Sequence, residues 1–207
     1  MKRRLISLFS AILLGLGLAH AEDIDAVSRE AAERVAIGTC ATCHGPQGHS
    51  LSPKFPVLAG QHAKYLAAQL QAFKAQTRGD PDALGYMWGM AAPLDEQLMA
   101  LLADYYSRQI PVAGPKGAAA LTTRGKDIYQ NGDPNAGIPP CVPCHGLAAA
   151  GTDEFPRLAG QHVQYLIKQL HSFQNNMRNV AVMHGVAQGL QLTDMEAVAT
   201  YLQSLGP

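Results

Sequence analysis

Aromatic residues are scarce in this 207-residue chain, at 6%, and charged residues are sparse at 15%. Two small domains with so few rings would have thin cores, a deficit that small domains commonly offset with a metal, a disulfide or a bound cofactor. Charge of one sign is also lacking: 16 Lys and Arg balance 16 Asp and Glu, with no basic patch, which argues against a nucleic-acid partner. Beyond the N-terminus no apolar run is long enough to span a bilayer. Cysteine is confined to two short clusters, and neither half shows a strand pattern.

The N-terminus has the three parts of an export signal: basic Lys2, Arg3 and Arg4, an apolar run from Leu5 to Leu18, and small residues at Ala19-His20-Ala21. Residues 1–21 are therefore expected to be a signal peptide and the mature protein to be periplasmic. Their removal takes away three basic residues and no acidic one, leaving 13 basic residues against 16 acidic. Peripheral association with a membrane is left open.

The chain is duplicated. FPVLAGQHAKYLAAQLQAFKAQTR from Phe55 realigns on FPRLAGQHVQYLIKQLHSFQNNMR from Phe155 at an offset of 100. Leu66, Leu70 and Phe73, and again Leu166, Leu170 and Phe173, form helical stripes. Leu98, Leu101, Leu102 and Tyr105 mark a closing helix in the first unit, and Met195, Val198, Ala199 and Leu202 in the second. Thr193 with Glu196 reads as a capping box and Asp95 as a cap. Shorter helices are expected around 25–38 and 121–131. The Pro- and Gly-rich stretch from Ile110 to Gly117 reads as an extended connection. The expected layout is all-α: a first domain at 22–110, a linker at 111–120 and a second domain at 121–207.

The four cysteines lie in Cys40-Ala41-Thr42-Cys43-His44 and Cys141-Val142-Pro143-Cys144-His145. C-x-x-C-H is the attachment pattern of c-type haem, in which two thiols add to the two vinyl groups of one porphyrin edge and the next imidazole reaches the iron. A redox pair, a disulfide or a zinc site would also use paired cysteines. Two copies, each followed by His within a longer repeat, favour two covalently bound haems c. The other axial position is assigned through the repeat. Met87/Met183 and Met99/Met195 recur in both halves. The second pair falls inside the closing helices, where packing is its expected role. Met87 and Met183 precede those helices in what reads as a loop able to fold over the iron, so His44/Met87 and His145/Met183 are the expected axial pairs. Met90 faces Val186 in the alignment, and His184 faces Trp88. His62 and His162 open a helix, and His49 and His171 read as surface residues. Pro56 and Pro156 stand close enough in sequence to return beside the histidines, where a carbonyl could accept from the second ring nitrogen.

On these residues the chain resembles cytochrome c4, the dihaem member of the class I cytochromes c. CATCHG and CVPCHG, the two LAGQH segments, and Met-loop-helix endings closing on ADYY and ATYL carry the resemblance across nearly the whole mature chain. It implies two tandem class I cytochrome c domains packed face to face, with haem propionates near the interface. It also implies that the Pro56 and Pro156 carbonyls accept from the ligating histidines. One departure is Glu33, seven residues before Cys40, where that family commonly has a packing glycine. The resemblance implies an electron carrier rather than an enzyme, taking electrons from a quinol-oxidising complex towards a terminal oxidase. A dihaem subunit of an oxidoreductase complex, such as a flavocytochrome c sulfide dehydrogenase, is the alternative. A dihaem peroxidase or thiosulfate dehydrogenase would need an open or cysteine-ligated iron, and this chain has no fifth cysteine.

Overall fold

The computed structural model describes residues 26–207. The expected signal peptide lies outside the described residues. Among the described residues there is no strand, only two isolated bridges, and no helix long and apolar enough to cross a membrane.

In the first half, helix α1 (26–35) passes through a wide π turn (Ala36–Cys40) into α2 (Ala41–His44). Then follow α3 (Ala63–Lys74), a second π turn (Ala83–Met87), α4 (Trp88–Ala91) and α5 (Glu96–Ser107). The second half has α6 (Ala119–Asn131), α7 (Val142–His145), α8 (Val163–Gln174), α9 (Ala181–Ala187) and α10 (Leu192–Gln203).

Each half has its own core. Ala32, Ala36, Leu66, Met99, Leu102 and Tyr106 bury together in the first. Ile128, Tyr129, Leu166, Met195, Val198 and Leu202 do so in the second. In α5 the buried stripe is Met99, Leu102, Ala103 and Tyr106. Of the expected residues Leu102 is in that stripe, while Leu98, Leu101 and Tyr105 are half-buried along one margin of it. Glu33 is exposed and the packing falls to its neighbour Ala32, 1% exposed. In the second half Gly125 takes the close contact: a Cβ there would lie 1.9 Å from the Ala197 carbonyl oxygen of α10.

Asp95 caps α5 as expected, accepting from the Leu98 N–H at 2.7 Å. The cap of α10 differs from the expectation. Gln191, not Thr193, is the cap, and Asp194 accepts from its N–H at 3.2 Å, so the helix starts earlier. Asp194 also accepts from Arg124 of α6, which ties the start of α10 to the middle of α6. The connection between halves lies against α10, with Gly114 N–H donating to the Gln203 carbonyl at 2.9 Å and the Gln203 amide donating to the Pro115 carbonyl at 3.1 Å.

Candidate haem sites and the interface between them

Each cysteine cluster forms a single helical turn that ends on its histidine, α2 in the first half and α7 in the second. Glycine follows both times, Gly45 at φ 74° and Gly146 at φ 77°, a backbone region that residues with a Cβ avoid. At Gly45 a Cβ would also lie 2.3 Å from the His49 carbonyl oxygen. The turn brings the proline loop back beside the imidazole. The Nδ1–H of His44 donates to the Pro56 carbonyl at 2.9 Å, and that of His145 to the Pro156 carbonyl at 3.0 Å. The expected carbonyl contact is thus present in both halves. Phe55 and Phe155 stand edge-on to these rings, with centroids 6.2 Å apart in each case.

This arrangement fixes the tautomer. A carbonyl only accepts, so the proton sits on Nδ1 and the Nε2 lone pair is left for a metal. Burial pushes both imidazoles below their ordinary pKa, the carbonyl bond opposing it in part, and the neutral ring is the ligating form. Burial also raises the Cys40 thiol and pushes Cys141 up to about 11. None of the four cysteines is disulfide-bonded, and the described residues contain no group of three or more His, Cys, Asp or Glu placed to hold a metal. Two thiols spaced along one turn beside a ligand-ready imidazole fit a covalently attached haem better than a disulfide or a zinc site.

Met87 closes the second π turn and Met183 lies within α9; both are half-buried. The expected loop is therefore short helix in both halves, because the backbone of 83–91 and of 181–187 closes its own turns there. Met90 is 53% exposed, while Met99 and Met195 are locked in the two cores at 2% and 0%. His184 donates through Nδ1 to the Phe173 carbonyl at 2.8 Å, which ties its ring to α8. His49 and His171, expected at the surface, are half-buried.

The halves pack against each other, and sequence reasoning missed the residues that do it, which are pairs related by the duplication. The Gln61 amide donates to the Arg157 carbonyl at 2.9 Å and accepts from its N–H at 2.8 Å. Gln161 makes the same two bonds to Val57, at 3.0 and 2.9 Å. His62 donates to the Ala150 carbonyl and His162 to the Ser50 carbonyl, each at 2.9 Å. At the centre Arg78 and Arg178 face each other across an antiparallel bridge, each stacked on its own phenylalanine, at 4.5 Å from Phe73 and 4.4 Å from Phe173. Gln69 and Gln169 each accept from both guanidinium groups. The signal was available: these residues recur at fixed places in the repeated segment, just before, within and just after α3 and α8.

The sequence model of the cytochrome c family matches residues 30–107 and 122–206, one match per half. Cytochrome c-552 of Acidithiobacillus ferridurans is 41% identical over 98% of this chain and 88% of its own length. Cytochrome c4 of Stutzerimonas stutzeri is 39% identical over 99% of this chain and 100% of its own. The chain belongs to the cytochrome c4 family. The solved cytochrome c4 of Acidithiobacillus ferrooxidans superposes with a TM-score of 0.76 at 42% identity, covering 80% of this chain and 98% of that one. A protein of Thiomonas intermedia named thiosulfate dehydrogenase electron acceptor is 36% identical over 82% of this chain and 80% of its own. As a cytochrome c4 the protein is all-α, made of tandem cytochrome c domains, and is a dihaem electron-transfer cytochrome.

Proposed function

We propose that this cytochrome c4 is a periplasmic electron carrier with domains at 22–110 and 121–207. One haem is attached through Cys40 and Cys43 with His44 and Met87 as axial ligands, the other through Cys141 and Cys144 with His145 and Met183. It takes electrons from a quinol-oxidising complex and passes them to a terminal oxidase. The observation that carries the reading is the repeated imidazole–proline carbonyl bond at 2.9 and 3.0 Å, which prepares both Nε2 atoms for iron. Haem supplies a one-electron couple; the chain holds the ring orientation, keeps the imidazole neutral and shields it from water. Two irons with both axial positions filled leave no site for a substrate, so exchange is outer-sphere.

The test has two stages. Intact mass and a pyridine haemochrome count should give two thioether-linked haems per chain. In the oxidised protein Met87→Ala should remove about half of the near-infrared methionine–iron band, one of two equivalent sites. Met90→Ala should leave that band whole; the reverse result reassigns the first ligand. Stopped-flow mixing should then show fast oxidation by oxidase-containing membranes and negligible turnover with peroxide. Fast peroxide turnover without transfer to membranes would make it an enzyme. A second reading, acceptance of electrons from a thiosulfate-oxidising enzyme, draws on the Thiomonas relative. Reduction by thiosulfate only when such an enzyme is added would favour it. A dihaem subunit of a flavocytochrome complex would instead co-purify with a flavoprotein.

A further inference from the structure

The methionine-bearing segments of the two halves differ in length and in what holds them. Eight residues separate Arg78 from Met87, but only four separate Arg178 from Met183. The longer segment carries Asp80, Pro81 and Asp82. Asp82 pairs with Lys168, a residue of α8 in the other domain. The same ammonium donates to the Lys54 carbonyl at 3.2 Å. Lys54 in turn donates through Nζ to the Tyr86 hydroxyl at 2.6 Å and lies 4.4 Å from that ring's centroid. Tyr86 stands edge-on to Phe55 at 6.0 Å, and Phe55 edge-on to His44. Contacts therefore run from the second domain through Lys168 to both sides of the first site: the segment ending at Met87 and the loop behind His44.

Among the described residues there is no reciprocal latch. The position matching Lys168 in the first domain is Ala68, which is exposed and too short to reach across. The second segment is held within its own domain. His184 donates to the Phe173 carbonyl at 2.8 Å, and the Gln174 amide donates to the Ala187 and Leu190 carbonyls at 3.0 Å.

We propose that Lys168 is a positioning residue for Met87, so that docking of the second domain holds the methionine segment of the first site while the second site is self-supporting. This rests on the reading of Met87 as an iron ligand. Loosening the latch lets the first methionine leave its iron more often, and a competing ligand reads that directly.

The experiment is an imidazole titration of the oxidised dihaem protein, followed at the methionine–iron band, with Met87→Ala used to mark the share of the band that belongs to the first site. Lys168→Ala should let imidazole displace the first methionine at a concentration about two- to fivefold lower, the range expected for a partly exposed ion pair. The second site should not move. Asp82→Asn should reproduce this and Lys168→Arg should restore the original value, which separates a latch from general loss of folding. Equal shifts at both sites, or no shift in either Lys168→Ala or Asp82→Asn, overturn the latch. A band left whole by Met87→Ala overturns the ligand assignment instead.

Discussion

The two halves agree on the histidine side of each site and in most of the contacts by which they meet, and they differ at the central arginines and the methionine segments. Both end a single cysteine-bearing turn on a histidine, both follow it with glycine, and both return a proline carbonyl to Nδ1. At the interface the glutamine and histidine contacts are reciprocal, but the arginines are not equally served. Arg78 holds Asp80 through two bonds, at 2.9 and 2.8 Å, whereas the position two residues after Arg178 is Val180. Arg178 is 5% exposed, has Gln169, Gln69 and Tyr65 as its side-chain acceptors among the described residues, and keeps a buried Nε without a partner there. Duplication supplied a symmetric scaffold; the longer methionine segment of the first half then supplied the one carboxylate at the centre.

The harshest way to break that comparison is to remove the carboxylate. Both partners of the Arg78–Asp80 pair are buried, with side chains 8% and 4% exposed. Asp80→Asn would leave two facing guanidiniums without a counter-charge between them, and truncating one partner of a buried pair costs about 3–5 kcal/mol. Denaturant unfolding of the dihaem protein measures it. A loss no larger than that of a surface substitution would mean the centre of the interface is neutralised by something other than Asp80.

A smaller effect separates the helix contacts of the two cores. Gly125→Ala drives a Cβ to 1.9 Å from the Ala197 carbonyl oxygen, so α6 and α10 must part, at about 1–3 kcal/mol. Glu33→Gly in the first half, on an exposed helix position, should cost only about 0.5–1 kcal/mol through backbone entropy. Comparable losses from the two would show that α1 and α6 are packed alike after all.

The local chemistry was legible in the sequence because it is written in contiguous residues. The C-x-x-C-H turns, the repeated FPxLAGQ segments and the period of Leu66, Leu70 and Phe73 name their own elements. The closing helix α5 was found from Leu98, Leu101, Leu102 and Tyr105, of which only Leu102 is buried, because a second apolar row runs along one margin of the buried stripe. The α10 cap was misplaced because Thr193 and Glu196 match the usual Ser/Thr-x-x-Glu pattern, whereas Gln191 and Asp194, which form the cap, share its spacing but not its residue types. What stayed hidden is long-range. Gln61 touching Arg157, or Lys168 touching Asp82, has no local signature, since pairing across domains depends on how two folded surfaces meet. Recurrence of Gln61, Gln69 and Arg78 in the second unit was the only trace of that surface.

The smallest expected difference between the halves is a response to acid at the reciprocal histidines. His62 has the Asp153 carboxylate 3.8 Å away; among the described residues no such carboxylate pairs with His162. Burial lowers the His162 pKa from its ordinary 6.5, opposed in part by the Ser50 carbonyl. With the folded value below the unfolded one, the unfolded chain binds the proton more readily. The contribution of His162 is therefore complete above about pH 6.5 and is lost as the pH falls through its lowered folded value. Denaturant unfolding of the dihaem protein at pH 7.5 and pH 5, compared with His162→Gln, isolates this group from the others that titrate in the same range. The unsubstituted protein should lose more stability on acidification than the variant does, by a small margin because the ring is partly open to solvent. Identical losses would mean that the proton on His162 is accommodated at the interface as readily as in water.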